Sequence, residues 1–532
     1  MIINVFTQIL LTLLVCFIIL TDASPPSAQT QQGVYIGRQT KVNDTNVNFW
    51  LGIPYAQQPV GNLRWKPPQP LSVGNETSFA YTANACPQGH NFEPPFTEAC
   101  LSLNVYTPAN ETNLPVFIWI HGGSFTVGAG MVYNATPFVA TTAIHSHPII
   151  IVTINYRLGF LGFLADQALY DEKSGVNNRS TTGTYGILDQ MMALDWIKEN
   201  IRGFGGDPEQ ITIGGESAGG VSITMLLTSP LVKNNTVQRA IIQSGNLWPS
   251  FSSSLQDAIN NSGNILRTAI NCTTTTADCL RNLNVQQILT VQNIVASKSI
   301  VTMAASPAID GYALDDTMEN NIAKGNFKRV PVLVGSTGNE TSIFTCRIFN
   351  DTATISQVEA FFNRIYNATI IDKIPDVYGP ISTVDNPLSY LNNVYSDSWA
   401  HCGARRLAAK FSHYNLSTYF FTYNHPLRVL PPCYSAFHGG DVLMFFLSFL
   451  DGSGLNVNFT REEQQLSTNM MLYWANFIYS SNPNFQGSLT YWDAFSITAD
   501  NDLVLDIEPY RRNHYYNRSC SNLWDLYRVK YE

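Results

Sequence analysis

The sequence predicts an α/β fold with a central, mostly parallel, twisted sheet flanked by helices. Two continuous apolar runs, Pro115 to Ile120 and Pro148 to Ile154, lack polar alternation, which is typical of parallel strands buried on both faces. Gly186 to Ile201 then shows apolar residues at helical spacing. Strands that alternate with helices favour a parallel sheet.

Later segments continue this alternation. We expect short strands at Gln210 to Ile213, Arg239 to Gln243 and Val330 to Gly335, and a helix around Val221 to Leu227. The chain contains no internal repeat, low-complexity linker or charge run. We therefore expect residues 24–532 to form one domain.

The composition excludes two broad classes of protein. Of 532 residues, 45% are hydrophobic, enough for a large core, so a mainly disordered chain is excluded. Only 13% are charged, and 30 Lys and Arg against 39 Asp and Glu give a net charge of −9. Non-specific nucleic-acid binding depends on neutralising phosphates, so no nucleic-acid partner is expected.

The N-terminus has the pattern of a signal peptide. An apolar run from Val5 to Leu20 precedes the small residues Ala23 and Ser24, which predicts cleavage after residue 23. An uncleaved membrane anchor is the alternative, but the run is at the short end for a spanning helix. We expect a protein that is secreted or lies in the lumen of the secretory pathway, without stable membrane insertion after cleavage.

Asn-x-Ser/Thr sequons are dense in this chain. Each is a candidate N-glycosylation site in a secreted protein, and glycans would explain how a surface with few charges stays soluble. The sequons begin at Asn43, Asn75, Asn110, Asn134, Asn178, Asn234, Asn260, Asn271, Asn339, Asn350, Asn367, Asn415, Asn458 and Asn517.

The cysteines favour disulfides over a metal site. Nine are present, and Cys16 lies in the predicted signal peptide. The remaining even number suits an oxidising compartment. Spacing makes Cys86–Cys100 and Cys272–Cys279 plausible pairs and leaves the other pairings open. No CxxC pair or Cys/His cluster has zinc spacing, so we expect neither a metal nor a cofactor.

A serine lies in the pattern of a nucleophile elbow. Gly215-Glu216-Ser217-Ala218-Gly219 is a G-x-S-x-G that follows a predicted strand and precedes a predicted helix. Small residues allow the sharp turn that exposes the Ser217 hydroxyl and aims the Ala218 amide at a reacting carbonyl. A glycine-rich turn without chemistry is the alternative.

A second glycine-rich turn follows a buried strand. His121-Gly122-Gly123-Ser124 ends the run from Pro115. Backbone N–H groups at such a turn approach a ligand closely and stabilise an oxyanion. We expect Gly123, Ser124 and Ala218 to donate to it.

A catalytic serine needs a base and a group that orients the base, in the order Ser, Asp or Glu, His. After Ser217, only His438 lies in a glycine-rich turn, Phe437-His438-Gly439-Gly440. Glu340 follows the apolar run that ends at Gly335, where parallel sheets place functional side chains. The other downstream histidines are interpreted as surface or packing residues: His401, His413, His425 and His514.

Several longer segments carry a family resemblance. They are FWLGIPYAQQPVGNLRW, EACLSLNVY, INYRLGFLGFL, FGGDP, GESAGG, QSG and YWANFIYSSNPN. Over about residues 33–527 the chain resembles the type-B carboxylesterase/cholinesterase family. The resemblance implies an α/β-hydrolase fold and a Ser-Glu-His triad, which falls on Ser217, Glu340 and His438.

The resemblance also implies disulfides. Family members pair the cysteines that match Cys86–Cys100 and Cys272–Cys279, and cholinesterase-like members pair those that match Cys402–Cys520. Cys346 and Cys433 then remain, close to Glu340 and His438, and we expect them to form a fourth disulfide.

Three departures from the family pattern matter. The usual third glycine of the oxyanion loop is Ser124, whose N–H still donates. Asn339-Glu340-Thr341 places a sequon at the expected acid. The choline-binding tryptophan of cholinesterases is His90, so the cation–π platform is missing at that point and acetylcholinesterase activity is not expected.

The sequence thus predicts a secreted serine carboxylesterase acting on small-molecule esters through an acyl-enzyme. Two alternatives remain open: a non-catalytic adhesion or structural protein on the same scaffold, and a thioester or amide hydrolase.

Overall fold

The fold is organised around an eleven-stranded sheet. The structure is a computed structural model, and it describes residues 24–89, 95–247, 252–297, 305–350, 352–446, 458–484 and 489–527. The predicted signal peptide and His90 lie outside these residues. The first half of the chain contributes these strands: β1 Ser27–Thr30, β2 Gly33–Ile36, β3 Arg38–Val42, β4 Thr45–Pro54, β5 Glu76–Phe79, β6 Ser102–Pro108, β7 Leu114–Ile120, β8 Ile150–Ile154 and β9 Gly206–Glu216. The remainder are β10 Arg239–Gln243, β11 Ser253–Ser254, β12 Ala308–Ile309, β13 Val332–Thr337, β14 Thr418–Tyr423, β15 Asn501–Leu505 and β16 Tyr510–Asn513.

The main sheet has the order β16-β15-β14-β13-β10-β9-β7-β8-β6-β4-β3. Its centre, from β15 to β8, is parallel, and the strands beyond this centre pair antiparallel at both edges. Two small sheets, β1-β2-β5 and β11-β12, lie apart from it. The prediction of a mostly parallel central sheet is confirmed.

Helices connect the strands. Those of the first half are α1 Thr136–Ile144, α2 Gly159–Phe163, α3 Gln167–Asp171, α4 Tyr185–Asn200, α5 Ala218–Thr228, α6 Leu255–Ala258, α7 Asn264–Ala269, α8 Asp278–Arg281 and α9 Val285–Ser297. Those of the second half are α10 Met318–Ala323, α11 Ser342–Phe349, α12 Ile355–Ile365, α13 Ala368–Tyr378, α14 Pro387–Ser396, α15 Cys402–His413, α16 Gly440–Phe446, α17 Arg461–Ser480 and α18 Asn517–Ser519. None of the helices in the described ranges is long and apolar enough to cross a membrane.

Both faces of the sheet are covered by apolar cores. In β7, Val116, Ile118 and Ile120 pack into one core, and the alternate residues Phe117 and Trp119 pack into the other. All seven residues of this strand are buried. Burial on both faces explains why its sequence is continuously apolar.

The carboxyl ends of four central strands lead to the predicted site. β7 ends before the His121-Gly122-Gly123 turn, and β9 ends one residue before Ser217. Glu340 lies three residues beyond β13, and His438 lies in the loop between β14 and α16. Parallel strands carry these ends to the same edge of the sheet.

Candidate active site

Ser217 lies in a strained turn between β9 and α5. Its φ of 56° and ψ of −124° place a non-glycine residue in a sparsely populated conformation, which is held by a hydrogen bond from its N–H to the Gln243 carbonyl at 2.9 Å. The neighbouring glycines have a steric role, because a Cβ on Gly219 would lie 2.0 Å from the Ile120 carbonyl oxygen. The turn has the strand–turn–helix geometry that the sequence predicts for a nucleophile elbow.

Glu340 and His438 form a buried hydrogen bond. His438 Nδ1 and Glu340 Oε2 are 2.5 Å apart, and Glu340 is fully buried. The second carboxylate oxygen, Oε1, accepts hydrogen bonds from the Ser244 hydroxyl and the Thr337 N–H, each at 2.7 Å. Three donors therefore fix the orientation of this carboxylate.

The other ring nitrogen of His438 points at the elbow. Nε2 lies 3.1 Å from Glu216 Oε1, one residue before Ser217. A hydrogen bond from the Ser217 hydroxyl to Nε2 is not among those that the described residues form. The ring of Trp399 packs against the imidazole with the ring centroids 4.8 Å apart. The structure thus brings base, acid and elbow together, and Nε2 faces the neighbour of the serine.

Burial and charge act against each other in this cluster. Burial raises the pKa of Glu216 to about 8. Burial lowers the pKa of His438, but the Glu216 and Glu340 carboxylates outweigh it and raise that pKa. Burial raises the pKa of Glu340, but the His438 charge and hydrogen bond bring it below the usual value. Glu340 is therefore a stable carboxylate partner for a histidine that gains a proton easily.

The amides of the predicted oxyanion hole lie in the turn after β7 and at the start of α5. Gly122 packs on the elbow, where a Cβ would lie 3.0 Å from Ser217 Cβ. Gly123 has a φ of 102°, and a Cβ there would meet the Val127 carbonyl oxygen at 2.1 Å. Within the described part of the chain, the amides of Gly123, Ser124 and Ala218 donate no hydrogen bond. The loop therefore offers unpaired N–H groups beside the elbow.

The pattern analysis missed several buried polar residues. Glu216 and Ser244 contact the predicted pair directly. Glu216 lies in the predicted elbow and Ser244 in the QSG segment, and the sequence assigned neither side chain a role. His401 is buried behind Glu340, and His425 is buried between Asp506 and Glu463. His413 and His514 are exposed, as the sequence indicated. The i, i+4 spacing of Asp397 and His401 was the available signal for His401.

Four disulfides join the eight cysteines outside the predicted signal peptide. They are Cys86–Cys100, Cys272–Cys279, Cys346–Cys433 and Cys402–Cys520. The third links α11, which follows Glu340, to the turn that precedes His438. Among the described residues, no group of three His, Cys, Asp or Glu side chains is arranged to hold a metal ion.

The parallel sheet, the helices on its faces and the strand–turn–helix at Ser217 define an α/β hydrolase. A solved structure of a thermophilic PNB esterase matches it with a TM-score of 0.77, at 28% identity, over 93% of this chain and 99% of that one.

The chain belongs to the carboxylesterase family, whose model matches residues 24–524. It is 30% identical to a human cocaine esterase over 92% of this chain and 89% of that protein. It is 31% identical to a para-nitrobenzyl esterase of Bacillus subtilis over 89% of this chain and 94% of that protein. The protein is accordingly a carboxylic ester hydrolase.

Proposed function

We propose that the protein is a secreted serine carboxylesterase in which Ser217, His438 and Glu340 are nucleophile, base and orienting acid. The main support is the 2.5 Å hydrogen bond between Glu340 and His438, which directs the imidazole at the elbow that carries Ser217. The paired histidine and the strained serine are the two components that nucleophilic acyl transfer requires.

The reaction proceeds in two halves. His438 Nε2 takes the Ser217 proton while Oγ attacks the ester carbonyl, and the amides of Gly123, Ser124 and Ala218 stabilise the oxyanion. The imidazolium gives its proton to the leaving alcohol, and the acyl-enzyme forms. Water then gives a proton to His438 and attacks the acyl carbon. His438 returns this proton to Ser217 Oγ as the acid is released, and the free serine is restored. Proton transfer requires Nε2, which faces Glu216 in the structure, to lie within hydrogen-bond reach of Ser217 Oγ.

We further propose that the chain enters the secretory pathway and that its signal peptide is cleaved before Ser24. The mature chain then forms one domain. Four disulfides in one chain support an oxidising compartment. The exposed sequons support N-glycosylation of the mature surface.

The first test measures hydrolysis of p-nitrophenyl esters from acetate to octanoate by the wild type and by Ser217→Ala. We expect a loss of kcat/KM of about 10³-fold or more in the variant, because the nucleophile is removed. A fluorophosphonate probe should label the wild type and not the variant.

Ser222→Ala is the matched control. Ser222 is a buried serine on α5, the helix that follows Ser217, and its hydroxyl oxygen accepts a hydrogen bond from Gln190 Nε2. It should keep both turnover and labelling. Unchanged turnover in Ser217→Ala would show that another residue is the nucleophile. Turnover of thioesters or amides in preference to matched oxygen esters would favour the alternative substrate class.

A further inference from the structure

A second histidine lies behind the proposed acid. His401 closes the π-helical segment Asp397–His401 and is 3% exposed. Its Nδ1 lies 2.7 Å from Asp397 Oδ1, and its Nε2 lies 2.6 Å from the Thr337 carbonyl oxygen. Neither ring nitrogen is left for water.

The partners of the ring require a proton on both nitrogens. A carbonyl oxygen only accepts hydrogen bonds, so Nε2 must donate to Thr337. Asp397 accepts a further hydrogen bond at Oδ2 from the Tyr378 hydroxyl, whose own oxygen accepts the Trp524 indole N–H. Both carboxylate oxygens of Asp397 thus accept hydrogen bonds, Oδ2 from Tyr378 and Oδ1 from His401 Nδ1. His401 is therefore an imidazolium.

Thr337 connects this charge to the proposed acid. Its carbonyl accepts from His401, and its N–H donates to Glu340 Oε1 at 2.7 Å. The His401 charge also helps to lower the pKa of Glu340, after the larger contribution of His438. One residue at the end of β13 thus lies between the imidazolium and the carboxylate.

The other groups around His401 do not neutralise its charge, because they are uncharged or paired with other residues. Tyr516 packs against the ring at 4.9 Å, and burial raises the pKa of Tyr516 and of Tyr378, so both phenols are neutral. The remaining charged side chains on neighbouring elements form ion pairs of their own: Arg405 with Asp500 and Asp525, Arg406 with Asp525, and Arg512 with Asp502.

We propose that His401 is a positioning residue: held as an imidazolium between Asp397 and Thr337, it orients Glu340 and keeps it ionised behind His438. This role deepens the proposed function and rests on it. His401 touches no reacting atom. It makes the proposed base available at a lower pH, because a nearby positive charge disfavours protonation of the Glu340–His438 pair.

The test compares the pH profile of kcat/KM in the wild type and in His401→Gln. Glutamine can still donate a hydrogen bond to the Thr337 carbonyl, but it carries no charge. Asp397 then has no positively charged partner at this position. Both changes favour protonation of His438. The acidic limb should therefore move to higher pH by about 0.5 to 1 unit.

Two variants separate charge from packing. His401→Lys restores a cation and should bring the limb back toward its wild-type position. His425→Gln removes another buried histidine, whose hydrogen bonds go to Asp506 and Glu463, and should leave the limb in place. A lower melting temperature in His401→Gln with an unmoved limb would overturn the proposal.

A measurement without turnover keeps the two proposals distinguishable. In ¹⁵N-histidine-labelled wild type, both ring nitrogens of His401 should carry protons at pH 7.5, with the signal assigned by its loss in His401→Gln. A neutral His401 ring would overturn this inference whatever the activity. An inactive enzyme with a protonated His401 would overturn the proposed function and leave the charge assignment standing.

Discussion

At the scale of single residues, Glu216 is a second acidic neighbour of the proposed base, after Glu340. It is almost fully buried, and its carboxylate lies 3.1 Å from His438 Nε2. Burial lowers the pKa of His438, and the charge of Glu216 raises it, as do the charge and hydrogen bond of Glu340. We therefore expect the residue beside the proposed nucleophile to influence the pH at which the proposed base becomes available.

Glu216→Gln should move the acidic limb of kcat/KM to lower pH. Removing the carboxylate lowers the pKa of His438, so the neutral imidazole persists further into acid. This direction is opposite to that expected for His401→Gln. The measurement is a pH–rate profile with a p-nitrophenyl ester.

Glu463→Gln is the matched control for that experiment. Glu463 is also a buried carboxylate beside a histidine, with Oε1 3.3 Å from His425 Nε2. Its replacement should lower thermal stability, because an amide NH₂ takes the place of one of the two oxygens that bind the Thr460 N–H, the Arg428 N–H and His425. It should leave the acidic limb unmoved. A limb that does not move in Glu216→Gln would show that this charge does not act on the base.

The residues that were predicted and those that were missed differ in how local their signal is. Ser217 is visible because five consecutive residues encode its turn. The relation of Glu216 to His438, and of His401 to Glu340, depends on contacts between distant parts of the chain. A sequence pattern contains no such distances, and these residues therefore emerge only from the fold.

At the scale of elements, the Cys346–Cys433 disulfide ties together the two loops that carry the proposed acid and base. The two cysteines are 87 residues apart in sequence. Cys346 lies on α11 after Glu340, and Cys433 lies in the turn before His438. The link limits how far the two loops separate in the native state and in the unfolded chain.

Replacing both cysteines by serine should cost about 2–4 kcal/mol of unfolding free energy, since a long loop loses its closure. It should also lower kcat/KM at temperatures below the melting transition. Thermal unfolding and ester hydrolysis test this. The same double replacement of Cys272 and Cys279, which are only 7 residues apart and lie away from the site, should cost less stability and leave kcat/KM unchanged. Equal effects would contradict a role for the link at the site.

The predicted strands agree with the structure where apolar residues fill most of the strand. β7 and β10 match the expected runs closely, whereas β9 extends over Gly206–Glu216, well beyond the predicted Gln210 to Ile213. The extension includes Gly214, where a Cβ would lie 2.4 Å from the Phe117 ring. A glycine required by close packing with the next strand looks like a strand breaker in the sequence. The edge strand β3 and its neighbour β4 are only partly buried and have no clear apolar period.

At the scale of the whole molecule, the fold divides the sequons into two groups. Asn339 is partly buried, its N–H donates to the Ala436 carbonyl, and Thr341 of the same sequon is fully buried. The other thirteen asparagines are exposed. The low-charge surface therefore has many positions for glycans, and one sequon lies inside the proposed site.

We expect glycopeptide mass spectrometry of the secreted, active protein to find glycans among the exposed sequons and none at Asn339. Glycans are attached before folding is complete, but a chain modified at Asn339 would have to bury a bulky sugar beside Glu340, and it should fail to fold. Asn350→Gln, at an exposed sequon on the same segment, should remove one glycan, whereas Asn339→Gln should leave the glycan number unchanged. A glycan on Asn339 in active protein would contradict the buried position of that side chain. A glycosidase digest that left the gel mobility unchanged would show that the protein carries no N-glycans. Glycans would then not explain the solubility of a surface so poor in charge.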